Sequence, residues 1–187
     1  MTKFGLHIIL VCFYSFSAYS QNTIYTTSTG QTSFISDAVL ENIEASNKNV
    51  ASILNTSNKQ IIVKILIERF QFRNQLMQEH FNEIFMESRK YPNAMFKGKI
   101  NESFNLNKPG TYSISATGLL SIHGVVRKRT LHGKLVVSPQ GYKLDTQFKV
   151  LLEDHKILIP ELVFNKVAES ILITTQLYLL PILDNPI

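Results

Sequence analysis

Apolar and polar residues alternate with period two along most of this chain. Tyr112, Ile114, Ala116, Gly118, Leu120 and Ile122 share one side of a stretch whose other side carries Ser113, Ser115, Thr117 and Ser121, broken only by Leu119. Tyr142, Leu144, Thr146, Phe148 and Val150 alternate in the same way against Lys143, Asp145, Gln147 and Lys149. Ala94, Phe96, Gly98 and Ile100 do so against Lys97 and Lys99, and Ile61, Val63, Ile65 and Ile67 occupy one face of a further run. Successive side chains of a strand point to opposite faces, so these are half-buried strands with one face in a core and one in water. The turn signals between them, at 107–110, His123-Gly124 and 138–141, are too short for parallel crossovers. Antiparallel strands met in sequence favour a meandering barrel or a sandwich, and residues 170–180, apolar on both faces, are expected to close it.

One stretch breaks the alternation. Met77, Phe81, Ile84 and Phe85 recur at helical spacing, Asn74 is a suitable N-cap, and Tyr91-Pro92 is a stop because the residue before proline is pushed out of the α region. The spacing predicts one principal helix over about 75–88, too short to stand alone, with its apolar face laid on the strands. Residues 23–58 are rich in Thr, Ser and Asn, with β-branched Ile24, Thr26, Thr27, Ile35, Val39, Ile43, Val50 and Ile53, and read as short strands joined by polar turns. Within them 36–45 is ambiguous, because Ile35, Val39 and Ile43 also fit a helix.

The first 20 residues read differently. Lys3, the apolar run 4–13 and Ala18-Tyr19-Ser20 form the pattern of a secretory signal peptide, with cleavage expected after Ser20 and an apolar run too short to span a bilayer. The lone Cys12 lies in this segment and is preceded by Val11, which argues against lipid attachment there. Residues 21–187 are then a cysteine-free single domain of about 167 residues, held by its core alone, and the net charge of +5 falls to +4. That charge is mild. The run Arg127-Lys128-Arg129, with His132 and Lys134 beyond it, would be split between two strand faces and has no interleaved aromatic platform, so it reads as a solvated sheet edge and not as a nucleic-acid patch.

Two motifs carry a resemblance. Leu76 to Phe81 reads L-x-x-E-x-F, followed by Lys90-Tyr91-Pro92-Asn93-Ala94-Met95-Phe96, and further on comes Gly118-Leu119-Leu120-Ser121-Ile122-His123-Gly124-Val125. At this separation they resemble the helix, K-Y-P-x-A-x-F and G-x-L-T-I-x-G-V segments of the YceI-like family, over most of the chain. The resemblance implies a lipocalin-like antiparallel β-barrel with one helix, and a polyisoprenoid or other long-chain amphiphile bound inside it.

Such a barrel is just wide enough to be filled by side chains or to hold one small elongated ligand. Ala94, Gly98, Ala116 and Gly118 would leave volume on faces otherwise apolar, while Phe96, Phe104, Tyr112 and Phe148 could fill it, and the pattern alone does not decide. With the resemblance added, the expected ligand-binding residues are Phe96, Phe104, Tyr112, Ile114, Ala116, Gly118, Leu120, Tyr142, Leu144 and Phe148. Catalytic chemistry has weaker support. His80, Glu83 and Glu87 fall at i, i+3 and i+7, a spacing that could hold a divalent metal, but without H-E-x-x-H they read as a partly exposed helix face. His123 beside Gly124 reads as a turn residue, and Asp154-His155 lacks a nucleophile such as G-x-S-x-G. The expectation is a secreted or periplasmic binding protein, with no cofactor, metal, nucleic acid or membrane segment after processing. A filled structural or partner-binding barrel and, behind it, a lipid cyclase or isomerase are the alternatives, and a homodimer stays open.

Overall fold

The computed structural model describes residues 24–103 and 108–182; the expected signal peptide, residues 1–20, and Phe104 lie outside them. The strands in chain order are β1 (Ile24–Asp37), β2 (Asn42–Asn55), β3 (Gln60–Leu66), the two-residue β4 (Gln71–Phe72), β5 (Asn93–Ile100), β6 (Gly110–Ile122), β7 (Val125–Ser138), β8 (Gly141–Leu151) and β9 (Ser170–Pro181). Each long strand pairs antiparallel with the next, β3 with β5 across the helical segment, and β9 returns to β1, so eight strands close an up-and-down barrel. Closure removes the sheet edges that such strands would otherwise expose.

The first two strands are longer than their composition suggests. Residues 23–58 form not several short strands but two of 14 residues each, joined by one tight turn at 38–41 and bent by register shifts around Gly30. The helical alternative for 36–45 gives way to pairing, because Ser36 faces Ile43 and Asp37 faces Asn42 across the hairpin. Val39 and Leu40 are left projecting from its tip.

The helix is shorter than its spacing suggests. Asn74 caps it as expected, its side-chain oxygen accepting from Leu76 N–H at 2.8 Å, but α1 covers only Gln75–His80 before the chain widens into a π-turn at Phe81–Phe85. The turn ends well ahead of Pro92, with Glu87 in the left-handed region at φ 41°. The widened turn rotates Ile84 to the surface, whereas Met77, Phe81 and Phe85 face the barrel.

The two sequence motifs meet in space. His123 and Gly124 have φ of 50° and 73°, the paired positive values of a type I′ hairpin turn between β6 and β7. Tyr91 packs its ring edge-on against His123 at 4.5 Å and lies directly on Gly124, where a side chain would collide with it. The His123 Nε2 stands 2.9 Å from a Glu87 carboxylate oxygen and its Nδ1 3.1 Å from the His155 carbonyl. The helix end, the hairpin tip and the 153–155 turn are thereby tied together.

The basic run lies on β7, which pairs with β6 from Val125 to Val137. Its ladder with β8, however, runs only from Ser138–Gly141 to Gly133–Thr146. Past that point the two strands part, and side chains bridge the seam: Thr146 Oγ1 donates to the His132 carbonyl (2.7 Å), Arg129 to the Lys149 carbonyl (3.0 Å) and Arg127 to the Asp154 carbonyl (3.0 Å).

Candidate ligand-binding cavity

The inward faces of the strands do two different things along the barrel axis. At the end away from α1, Val50, Leu54, Leu135 and Leu179 are completely buried, and Tyr142 packs edge-on against Tyr25 with ring centroids 4.4 Å apart. Burial, reinforced by Tyr25, holds the Tyr142 phenol well above its usual pKa. Toward the α1 end the same strands enclose a cavity of about 460 Å³. That lies within the ~300–1,000 Å³ of small-molecule sites.

The cavity wall is almost wholly apolar. Val63, Ile65, Ile122, Val150 and Ile171 belong to it, and Phe34, Phe70, Phe72 and Phe81 form a cluster beneath the helical segment, with ring centroids 5.0–5.8 Å apart. Stacked, tilted and edge-on aromatic contacts of this kind hold ring positions more firmly than area alone would. The hydroxyls in the wall already have partners. Thr32 Oγ1 bonds Thr175 Oγ1 (2.9 Å) and the Thr174 carbonyl (3.1 Å), Ser36 Oγ accepts from Ala168 N–H (2.8 Å), and Thr146 serves the seam. Of the other polar lining residues, Glu41, Asn74, His80 and Lys166 gather near the mouth, and His132 stands at the β7–β8 seam. The interior suits a hydrocarbon and asks little of it by way of hydrogen bonds.

Of the residues expected from the sequence, Phe96, Ile114, Ala116, Leu120, Leu144 and Phe148 line this cavity. Tyr112, Gly118 and Tyr142 do not. Tyr142 belongs to the packed end, and Tyr112, directly opposite Leu135 in the β6–β7 pair, turns its hydroxyl out to the Lys108 carbonyl at 2.9 Å. Gly118 faces Gly98 across the β5–β6 pair, and a Cβ on it would sit 2.3 Å from the Lys97 carbonyl oxygen, so its smallness lets two strands approach and opens no interior space. The space over Gly98 is filled in turn by the Phe96 ring.

Sequence reasoning missed the contributions of β1, α1 and the segment after β8. Ile171, Ile173, Thr175 and Leu177 all line the cavity from alternate positions of β9, a period-two signal that can be read in the sequence. Ile157 and Val163, which lie between strands, carry no such signal.

The candidate catalytic groups are engaged elsewhere. Among the described residues no three His, Cys, Asp or Glu side chains gather as a metal site; Glu87 turns to His123 and Lys90. His155 is fully buried with neither ring nitrogen hydrogen-bonded, and burial pushes its pKa below the usual imidazole value against the pull of the Ile122 and Val125 backbone. Asp154 faces Arg127 at 3.6 Å, and no acid–base relay with His155 forms.

Residues 19–179 match the YceI-like domain family. The chain belongs to the YceI-like family. Among solved structures, a polyisoprenoid-binding domain from Saccharophagus degradans, implicated in plant cell wall breakdown, superposes with a TM-score of 0.71 at 12% identity, over 86% of this chain and 99% of that one. Burkholderia cenocepacia BcnA follows at 0.66 and 14%, over 79% and 94%. The Campylobacter jejuni YceI protein gives 0.54 and 17%, over 94% and 91%. At such identities the likeness establishes a shared YceI-like barrel. No curated protein sequence matches the chain.

Proposed function

We propose that this YceI-like protein is a carrier that holds an elongated apolar chain, an isoprenoid or long-chain amphiphile, inside the α1 end of its barrel. The observation that carries the reading is the cavity of about 460 Å³, whose wall is apolar and whose wall hydroxyls are already paired. Family membership and the description of the Saccharophagus degradans neighbour as polyisoprenoid-binding support the ligand class. Burying about ten methylenes contributes about 8 kcal/mol, the free energy of a micromolar Kd, with no charged partner needed. The sequestered His155 and the engaged Glu87 favour a binding protein over an enzyme. The signal-peptide pattern of residues 1–20 supports export to the periplasm or beyond, with Gln21 as the first residue of the mature chain.

Native mass spectrometry of freshly purified protein, followed by lipid extraction, tests the carrier directly. The wild type is expected to hold a long-chain lipid. Ala116→Phe, which places a ring in the cavity, is expected to abolish its co-purification while leaving the β-sheet circular dichroism intact. A wild type that is empty, takes up no isoprenoid or fatty-acyl probe and is merely destabilised by Ala116→Phe would overturn the reading in favour of a structural barrel.

A further inference from the structure

The most exposed large apolar side chains of the described chain are not spread evenly. Leu162 at 97%, Val39 at 92%, Leu158 at 82% and Leu40 at 67% head the ranking, and all four stand at the α1 end, on connections between strands. Phe164 and Leu76 join them there. The loops that carry them are fixed to one another: Leu40 N–H donates to the Asn165 carbonyl (3.1 Å), and Ala168 N–H donates to Ser36 Oγ (2.8 Å). The patch is continuous with the cavity, because Glu41, Leu76, Val163 and Lys166 line it beside these tips. Apolar side chains gathered round a single opening mark an interaction site, unlike isolated ones on a barrel wall.

We propose that this rim docks on a lipid bilayer, with Val39, Leu40, Leu158 and Leu162 entering the acyl region so that the cavity mouth opens onto the membrane. The inference rests on the carrier reading for its purpose: a water-insoluble chain then passes between bilayer and cavity without crossing water. The tips project from two connections, β1–β2 and β8–β9, and a soft apolar phase accepts that arrangement more readily than a shape-matched protein surface. The charges nearby are mixed, Glu41 and Glu161 against Lys156 and Lys166, so apolar insertion and not attraction to anionic headgroups drives the contact.

The test is co-sedimentation of the full mature protein with neutral phosphatidylcholine vesicles. Wild type is expected to bind, with little change on adding salt or anionic lipid, and Val39→Asp with Leu162→Asp is expected to lower partitioning at least about ten-fold. Neither residue lines the cavity, so uptake of a soluble fatty-acyl probe should be unchanged in the double variant. Failure to bind neutral vesicles, binding confined to anionic vesicles and lost in salt, or a dimer abolished by the same substitutions in place of vesicle binding would each overturn the proposal. Probe uptake without vesicle binding removes the docking and leaves the carrier standing; vesicle binding without probe uptake removes the carrier instead.

Discussion

At one end of the barrel Leu54, Leu135 and Leu179 are sealed from solvent among their neighbours; at the other, Leu120, Ile122 and Val150, carried by strands of the same sheet, look into a void of about 460 Å³. The two ends share strands and alternation and, apart from the β7–β8 seam, pairing, so most of the difference does not arise from the backbone plan. It comes from what crosses the axis. The packed end is plugged by branched side chains and by the Tyr25–Tyr142 pair, whereas the hollow end is roofed by the helical segment and by residues 152–167, which span the opening without filling it. One sheet can thus serve as a hydrophobic core at one level and as a container at another.

The largest expected effect belongs to the wall that both ends share. Gly118→Val should cost about 3 kcal/mol, because its side chain must push back the Lys97 backbone across the β5–β6 pair. Urea denaturation measures this, and a near-neutral result would mean that the strands there are not held at the observed spacing.

Next comes the contrast itself. Leu135→Ala removes a side chain enclosed on every side and should cost about 2–3 kcal/mol, whereas Leu120→Ala, already bordering a void, should cost about 1–2 kcal/mol. Equal losses in the ligand-free protein would erase the distinction between a packed and a hollow end.

The smallest effect is on pH dependence. Burial holds the folded-state pKa of His155 below its ordinary value of 6.5, so the unfolded chain binds more protons in the interval between the two. The stability from keeping this ring neutral is fully present above pH 6.5 and is lost as the pH falls toward the folded-state pKa. His155→Leu should flatten that part of the stability profile. An unchanged slope would show that the ring is hydrated at the hollow end.

Much of this contrast is legible in the sequence, and the limits are physical. Alternation identified the inward faces of β5, β6 and β8, and with them Phe96, Ile114, Ala116, Leu120, Leu144 and Phe148 as inward-facing residues. It could not say at which level along the axis a side chain lies, which is why Tyr142, on the correct face, belongs to the plug. Nor could residue size distinguish Ala116, which borders open space, from Gly118, which is small because another strand is close. The i, i+4 spacing overextends the helix because it does not register a π-turn, and it places Ile84 on the wrong face as a result. The packing of Tyr91 on His123 and Gly124 joins residues far apart in the chain and leaves no periodic trace.

The parting of β7 from β8 bears on the girth of the barrel. A hoop of uninterrupted ladders can widen only by breaking a whole row of interstrand hydrogen bonds, which makes its circumference a fixed quantity. Here, at the level of residues 125–132, that row is absent, and the gap is held by the Thr146, Arg129 and Arg127 side chains. The barrel is therefore a split ring at its hollow end and a closed one at its packed end. At the hollow end its girth is set by side-chain hydrogen bonds, and at the plug by a backbone ladder.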